Sequence, residues 1–194
     1  MDAFYGALLG YLSGSIPFGL LLTRAAGLGD VRKIGSGSIG ATNVLRTGNK
    51  GLAAATVLLD AAKGAVPVLL AAEFWPGAQG IAAVAAVAGH CFTPWLKFRG
   101  GKGFATAAGV VLALAWPVML VCAAIWAATL AASRISSVSS MTTVVLAPLV
   151  AWGLGYPGLI VPLLAIAGIV LVQHRANIGR LMKGEEPRIG GSKE

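Results

Sequence analysis

Long apolar runs dominate the chain and are separated by short polar segments. They cover residues 3–22, 52–72, 77–96, 104–133 and 135–173, and the last two contain no charged residue. As single helices, those two would be about 45 and 58 Å long, whereas the apolar core of a bilayer is about 30 Å thick. Each contains residues typical of a helix end, Trp116-Pro117 in one and Gly155–Gly158 in the other. If each of these two runs crosses twice and each of the other three crosses once, the chain has about seven transmembrane helices.

The exact number of crossings stays open at this point. Several of the half-runs are near 15 residues, which is short for a full span, so five helices with two re-entrant hairpins are an alternative. Both alternatives describe an all-α polytopic membrane protein with some short or broken helices, and we expect one domain over residues 1–194. Because no basic leader or cleavage site precedes the first run, we expect it to remain as a span.

Charge is scarce and unevenly placed. Of the 194 residues, 57% are hydrophobic and 11% are charged, and the mean hydropathy is +0.81, which excludes an ordinary soluble domain. In both topologies one side of the membrane carries Arg24, Arg32, Lys33, Arg46, Lys50, Lys97, Arg99, Lys102, Arg134, Arg175, Arg180, Lys183, Arg188 and Lys193. The positive-inside rule makes that side cytoplasmic, with the N terminus outside and the C terminus inside. The net charge of +8 therefore reflects orientation, and we expect no nucleic-acid partner.

A glycine- and hydroxyl-rich segment, Gly35–Asn43, follows the first apolar run and precedes the basic Arg46. Glycines allow tight turns that point several backbone N–H groups into one concavity, and a helix N-terminus adds positive charge there. The segment therefore predicts an anion site, most naturally for phosphate. The spacing also matches a dinucleotide fingerprint, but no strand precedes it. The candidate binding residues are Ser36, Gly37, Ser38, Gly40, Thr42 and Asn43.

Two further polar clusters lie on the same predicted side. The first is a basic glycine turn before a helix, whose candidates are His90, Gly100, Gly101, Lys102, Gly103 and Thr106. The second follows the last apolar run, with His174, Asn177 and Arg180 as candidates and Arg175 and Glu186 as further ones. A basic stretch at this position also fits a simple lipid-headgroup contact, above all for Arg175 and Lys183. We expect the three clusters to form one site around one or two phosphates.

Asp60 and Lys63 lie inside the second apolar run at a spacing that lets them pair on one helical face. Charges within spans are candidates for function, yet a self-neutralising structural pair is equally compatible with the pattern. Both alternatives require the two side chains to face protein. No metal site is expected, because the two histidines are 84 positions apart and carboxylates do not cluster. A serine triad is not expected either, since no Gly-x-Ser-x-Gly elbow occurs.

The three motifs together resemble the PlsY family of bacterial membrane glycerol-3-phosphate acyltransferases, over nearly the whole chain. They are Gly35-Ser-Gly-Ser-Ile-Gly-Ala-Thr-Asn43, the segment from Gly89-His90 to Gly103-Phe-Ala-Thr106, and His174-Arg-x-Asn177-Ile-x-Arg180-Leu followed by Gly184-x-Glu186. Ser38 departs from the asparagine usual in the family, and we expect altered contact geometry there without loss of the site.

The resemblance implies acyl transfer from acyl phosphate to the 1-hydroxyl of sn-glycerol 3-phosphate, giving lysophosphatidic acid and phosphate, without a cofactor. It implies an enzyme of the bacterial inner membrane whose active site faces the cytoplasm, with membrane lipid and an acyl-phosphate-producing enzyme as partners. We expect Arg46, Lys102 and the Ser36 segment to hold glycerol phosphate, and His174 and Asn177 to orient the donor or the glycerol hydroxyls.

Several alternatives remain open from the sequence. The general base is either histidine or a substrate phosphate oxygen, and spacing alone does not distinguish acyl phosphate from acyl-CoA. A transporter or a non-catalytic binder of a phosphorylated solute is the alternative function. A transporter is expected to show repeated halves and a midplane site, whereas these clusters lie at one membrane edge and the sequence contains no repeat.

Overall fold

The computed structural model describes residues 1–190, so Lys193 lies outside the described residues. The chain divides into two compact units, Met1–Leu114 and the segment from Ala115 onward. Within residues 1–190, the regular structure consists of α-helices and short 3₁₀ turns. The prediction of an all-α protein is confirmed for this part of the chain, and the prediction of a single domain stays a prediction.

The first unit contains six helices. They are α1 (Asp2–Gly14), α2 (Phe18–Ala25), α3 (Ala41–Val44), α4 (Lys50–Phe74), α5 (Gln79–Cys91) and α6 (Phe104–Leu114). The first apolar run is therefore broken into α1 and α2, because Pro17 has no N–H to continue the helix. Helix α5 ends at Cys91, short of the predicted residue 96, where the chain turns ahead of Pro94.

Glycines allow the helices of the first unit to approach closely. A Cβ on Gly10 or Gly14 of α1 would lie 2.3 Å from the Ala82 carbonyl oxygen or 2.0 Å from that of Ala86 in α5. In the same way, a Cβ on Gly109 of α6 would lie 1.9 Å from the Ala61 carbonyl oxygen of α4. Small residues at such positions are how membrane helices bring their backbones into contact. This contact fixes where the polar ends of α4, α5 and α6 lie.

The second unit contains α7 (Trp116–Ser133), α8 (Ser136–Gly153), α9 (Ile160–Gln173) and α10 (Arg175–Met182). The helices end at both predicted breaks: α7 begins at Trp116-Pro117, and a turn through Gly155, with φ 83°, joins α8 to the 3₁₀ turn Pro157–Leu159. The chain bends by 60° between α9 and α10. His174 occupies this bend.

Four helical segments are long and apolar enough to cross a membrane, namely Asp2–Ala25, Lys50–Phe74, Trp116–Ser133 and Ser136–Gly153. The bent pair Pro157–Gln173 with Arg175–Met182 brings the number to five among the described residues. The remaining helices α5 and α6 have 13 and 11 residues, or about 20 and 17 Å at 1.5 Å per residue. The structure therefore supports four to five spans, and the predicted seven stays a prediction.

Candidate active site

Asn43 organises the first glycine-rich segment from within. Its side chain is 2% exposed, and its Nδ2 donates to the carbonyl oxygens of Val31 at 2.7 Å, Ser38 at 2.8 Å and Ile34 at 3.1 Å. Its Oδ1 accepts from the backbone N–H of Ser36 at 3.1 Å. Because a buried amide that satisfies four backbone groups holds them in one arrangement, Asn43 determines the shape of the segment.

Arg46 packs against the same segment. A Cβ on Gly35, whose φ is +53°, would lie 2.1 Å from Arg46 Nη1 and 2.4 Å from Asn43 Oδ1, so only glycine fits there. Ser36, Gly37, Thr42 and Arg46 are exposed, and Ser38 and Gly40 are half-buried. The helix that follows is the single turn α3, so its dipole is smaller than the sequence suggested. The predicted binding groups are thus on the surface, and Asn43 is beneath them.

An Asn43→Asp variant tests this organisation. The variant keeps an acceptor for Ser36 but replaces the donor with a carboxylate facing three carbonyl oxygens, so we expect KM for glycerol 3-phosphate to rise about tenfold, which corresponds to about 1.4 kcal/mol. Steady-state acylation kinetics on purified protein measure the change. Asn49→Asp is the control, because Asn49 Oδ1 only accepts from Leu52 N–H at the start of α4 and aspartate keeps that bond. Equal effects at both positions would contradict the prediction.

Asp30, which the sequence analysis did not single out, anchors the basic residues before the segment. Its carboxylate accepts from Arg32 Nε at 2.9 Å, from Arg32 N–H at 3.0 Å and from Arg24 Nη2 at 3.0 Å. The hydrogen bond from the Arg32 side chain, with those of the Arg32 backbone and Arg24, holds the pKa of Asp30 well below its usual range. Two of the basic residues near the site are therefore already paired.

The second glycine-rich segment, Arg99–Gly103, folds back on the end of α5. Gly100 N–H donates to the Cys91 carbonyl and Gly101 N–H to the His90 carbonyl, both at 3.0 Å. A Cβ on Gly101 would lie 2.0 Å from His90 Nε2. Lys102 follows, half-buried, just ahead of α6. The residue next to Lys102 in this segment therefore packs directly against the His90 ring.

Thr106 lies deeper than a phosphate ligand would. Its side chain is fully buried, and a Cβ on Gly64 of α4 would lie 3.0 Å from its Cγ2. The contact joins the beginning of α6 to α4. Leu96, just before the second segment, shares an apolar cluster with Ile39 of the first segment and with Val31 and Val44 on either side of it. One core therefore supports both glycine-rich segments.

Asp60 and Lys63 face protein, as predicted. Lys63 Nζ lies 2.7 Å from Asp60 Oδ1 and donates to the Ile16 carbonyl at 2.7 Å, at the break between α1 and α2. His90 Nδ1 lies 3.8 Å from the same Asp60 oxygen. All three side chains are less than 5% exposed. The pair is therefore part of a buried cluster that also contains His90.

In the second unit, Glu186 gathers the third polar cluster. Its Oε1 accepts from Ser137 Oγ at 2.6 Å and from Asn177 Nδ2, and its Oε2 accepts from Arg180 Nε at 2.7 Å. Burial opposes ionisation of Glu186, but these hydrogen bonds and the Arg180 charge outweigh it and lower its pKa. Asn177 is 3% exposed. The segment after α10 is thus fastened to α8 and α10 through one carboxylate.

His174 lies at the bend between α9 and α10 and is 2% exposed. Its Nδ1 is 2.8 Å from the Val170 carbonyl oxygen. Because a carbonyl only accepts, Nδ1 carries a proton, and Nε2 is the acceptor nitrogen when the ring is neutral. Arg175 points elsewhere and donates to the Val172 carbonyl at 3.3 Å and to Gln173 Oε1 at 3.2 Å, with its side chain exposed.

The family model for glycerol-3-phosphate acyltransferase matches residues 4–184. The chain belongs to that family. It is 58% identical to the glycerol-3-phosphate acyltransferase of Erythrobacter litoralis over 190 residues, which cover 98% of this chain and 96% of that protein. The crystal structure of PlsY (YgiH), an integral membrane glycerol 3-phosphate acyltransferase, is similar in its glycerol 3-phosphate form and in its lysophosphatidic acid form. The TM-scores are 0.92 and 0.90, with 34% identity, and the matches cover 98% of this chain and 96% of that one.

The glycerol-3-phosphate acyltransferase family and its acyltransferase activity, predicted from three motifs, are thereby confirmed, and the chain is an all-helical integral membrane protein. The first unit brings Asn43 together with Arg46, and His90 with Gly101, Asp60 and Lys63. The second unit brings Asn177, Arg180 and Glu186 together with Ser137. The sequence analysis missed Ser137, which precedes Glu186 by 49 positions. The combination of all three clusters in one site stays a prediction.

Proposed function

We propose that this chain transfers an acyl group from acyl phosphate to the 1-hydroxyl of sn-glycerol 3-phosphate and releases lysophosphatidic acid and phosphate. The observation that carries this proposal is the similarity to PlsY in forms named for glycerol 3-phosphate and lysophosphatidic acid, the acceptor and the product of such an acylation. The acyl-phosphate donor is inferred from the resemblance of the three motifs to those of the PlsY family. An acyl-phosphate-producing enzyme is then the partner that supplies it.

The chemistry requires dense positive charge, because two phosphates must approach so that an alcohol meets an activated carbonyl. The glycerol oxygen forms the new ester bond, the bond from the carbonyl carbon to the phosphate oxygen breaks, and phosphate leaves with that electron pair. Arg46, Lys102 and the exposed groups of the Ser36 segment hold glycerol phosphate in our proposal. His174 and Asn177 orient the donor or the glycerol hydroxyls.

A test of the donor offers palmitoyl phosphate and palmitoyl-CoA separately to the purified protein with glycerol 3-phosphate, and follows released phosphate and lipid product. We expect turnover with palmitoyl phosphate alone. Equal turnover with palmitoyl-CoA would refute acyl phosphate as the specific donor, while the acyltransferase activity would stand. Uptake of glycerol phosphate into proteoliposomes without acylation would instead support the transporter considered from the sequence.

The proton of the attacking hydroxyl is accepted by His174 Nε2 or by a phosphate oxygen. The acceptor character of Nε2 in the neutral ring, set by the hydrogen bond from Nδ1 to Val170, supports the histidine. If His174 is the base, we expect His174→Ala to lower kcat by about 10²- to 10⁴-fold. Single-turnover acylation measures this directly. A variant that keeps most of its turnover would leave the substrate phosphate as the acceptor.

We further propose seven crossings, with α5 and α6 as short ones, the N terminus outside and the three polar clusters at the cytoplasmic face of the bacterial inner membrane. The distribution of basic residues supports this sidedness. A membrane-impermeant maleimide applied to intact spheroplasts should label Glu73→Cys and not Lys183→Cys. Labelling of Lys183→Cys and not of Glu73→Cys would show that the proposed orientation is inverted.

A further inference from the structure

The buried cluster of Asp60, Lys63 and His90 is not needed to contact substrate in the reaction proposed above. Each of its side chains is less than 5% exposed. It lies where α4 meets the end of α5 and the break between α1 and α2, because Lys63 donates to the Ile16 carbonyl and lies against Asp60. Burying charges is costly and is maintained only where they are paired. The contacts of the cluster indicate what it supports at this position.

The contact between His90 and Gly101 supplies that explanation. The three atoms nearest to a Cβ on Gly101 are all in the His90 ring, at 2.0 Å for Nε2, 2.9 Å for Cε1 and 3.0 Å for Cδ2. Gly101 does not have a positive φ, so the ring alone forbids a side chain there. The next residue is Lys102. The His90 ring therefore determines how closely the segment that carries Lys102 packs against the end of α5.

We propose that Asp60, Lys63 and His90 act as a positioning cluster for Lys102. Asp60 Oδ1 lies 2.7 Å from Lys63 Nζ and 3.8 Å from His90 Nδ1, so the ion pair borders the His90 ring on its Nδ1 side, while Nε2 faces Gly101. His90 then acts through the glycine segment and not on the phosphate itself. This inference rests on the proposed function of Lys102 in holding glycerol 3-phosphate.

The proposal is tested by enlarging Gly101 and shrinking His90, separately and together; we call this combination the size exchange. We expect Gly101→Ala to raise KM for glycerol 3-phosphate about 30-fold with a smaller change in kcat, since a displacement near 1 Å costs up to about 10²-fold. In a His90→Ala background the added methyl enters the vacated space, and the same substitution should cost no more than about 3-fold. Additive losses in the double variant would overturn the proposal. Gly168→Ala is the control, because no atom lies within 4 Å of its Cβ position.

A second comparison separates positioning from simple stability and decides the question if Gly101→Ala does not fold. Asp60→Asn removes the charge beside His90, whereas Ser13→Ala removes the 2.9 Å hydrogen bond to the Lys63 carbonyl without touching the ring. We expect both variants to lower the melting temperature and only Asp60→Asn to raise KM. A KM that follows the melting temperature in both variants would refute the positioning cluster.

Binding of glycerol 3-phosphate is measured separately by calorimetry on the same variants. A wild-type protein that binds glycerol 3-phosphate but does not turn over palmitoyl phosphate would refute the donor assignment alone. The size exchange would then be measured in Kd, with the same expected 30-fold and 3-fold changes. Wild-type turnover with additive losses would instead refute the positioning cluster and keep the proposed function.

Discussion

Replacing Lys102 by alanine is expected to lower kcat/KM for glycerol 3-phosphate by about 10²- to 10³-fold, the usual cost of removing one group that stabilises developing charge. Lys102 follows Gly100 and Gly101, whose N–H groups donate to the carbonyls of Cys91 and His90, and Gly103 separates it from the start of α6. Lys102 therefore lies two residues before the N-terminus of α6, and a lysine charge and a helix N-terminus both favour a phosphate. Initial-rate acylation at several glycerol 3-phosphate concentrations measures the loss.

Two companion variants show whether the effect is local. Lys50→Ala removes the same charge from the exposed start of α4 and should change kcat/KM by less than about 3-fold, since exposed charges are screened by salt. Lys102→Arg keeps the charge but alters its shape, and we expect partial recovery. A loss in Lys50→Ala equal to that in Lys102→Ala would mean that only the overall positive potential matters.

The helix boundaries were largely predictable from local chemistry. Trp116-Pro117 and the turn around Gly155 end helices where the sequence places them, because proline and glycine act on the backbone of their own neighbours. The break at Pro17 was not predicted, since its apolar surroundings conceal it. Lys63 binds the Ile16 carbonyl exposed by that break. A contact between residues 47 positions apart depends on the tertiary structure, and the local sequence pattern does not predict it.

The site was predicted at the level of segments but not of individual side chains. The glycine-rich segments were recognised as candidates, yet Asn43 points inward to four backbone groups and His90 lies beneath Gly101. Both residues are polar within a motif, and sequence alone does not say whether a polar side chain faces a ligand or its own backbone. Burial makes that distinction, and burial depends on how α1, α4 and α5 pack.

Glu186 shows the same limit in the second unit. It was a secondary candidate because it ends the third motif of the family resemblance, and its three partners lie in α8 and α10. Ser137 was missed because a serine near a helix start is common and carries no signal of its own. Only the return of the chain after α10 makes the two residues neighbours. The physical reason is a long-range hydrogen bond, which leaves no periodic trace in the sequence.

Removing the Glu186 carboxylate is therefore expected to affect both stability and activity. Glu186→Ala leaves the buried Asn177 amide and the Ser137 hydroxyl without their acceptor, at about 1–3 kcal/mol for each unsatisfied group. Arg180 also loses its ion pair, whose distance is 2.7 Å. Because Asn177 is proposed to orient substrate, we expect kcat/KM to fall about 10²-fold. Glu185→Ala is the matched control, since Glu185 is the exposed neighbour of the same type, and it should retain wild-type rates.

Acid should reduce the difference in melting temperature between wild-type protein and Glu186→Ala. The folded-state pKa of Glu186 is lowered, so its contribution is fully present above the ordinary glutamate value of about 4.3 and disappears as pH falls through the lower folded value. The melting temperatures of the two proteins, measured from pH 7 into acid, should therefore move towards each other as the pH falls below the ordinary glutamate value. A gap that stays constant over this range would mean that the contacts of Glu186 do not depend on its charge, and Glu186→Gln would then preserve both stability and activity.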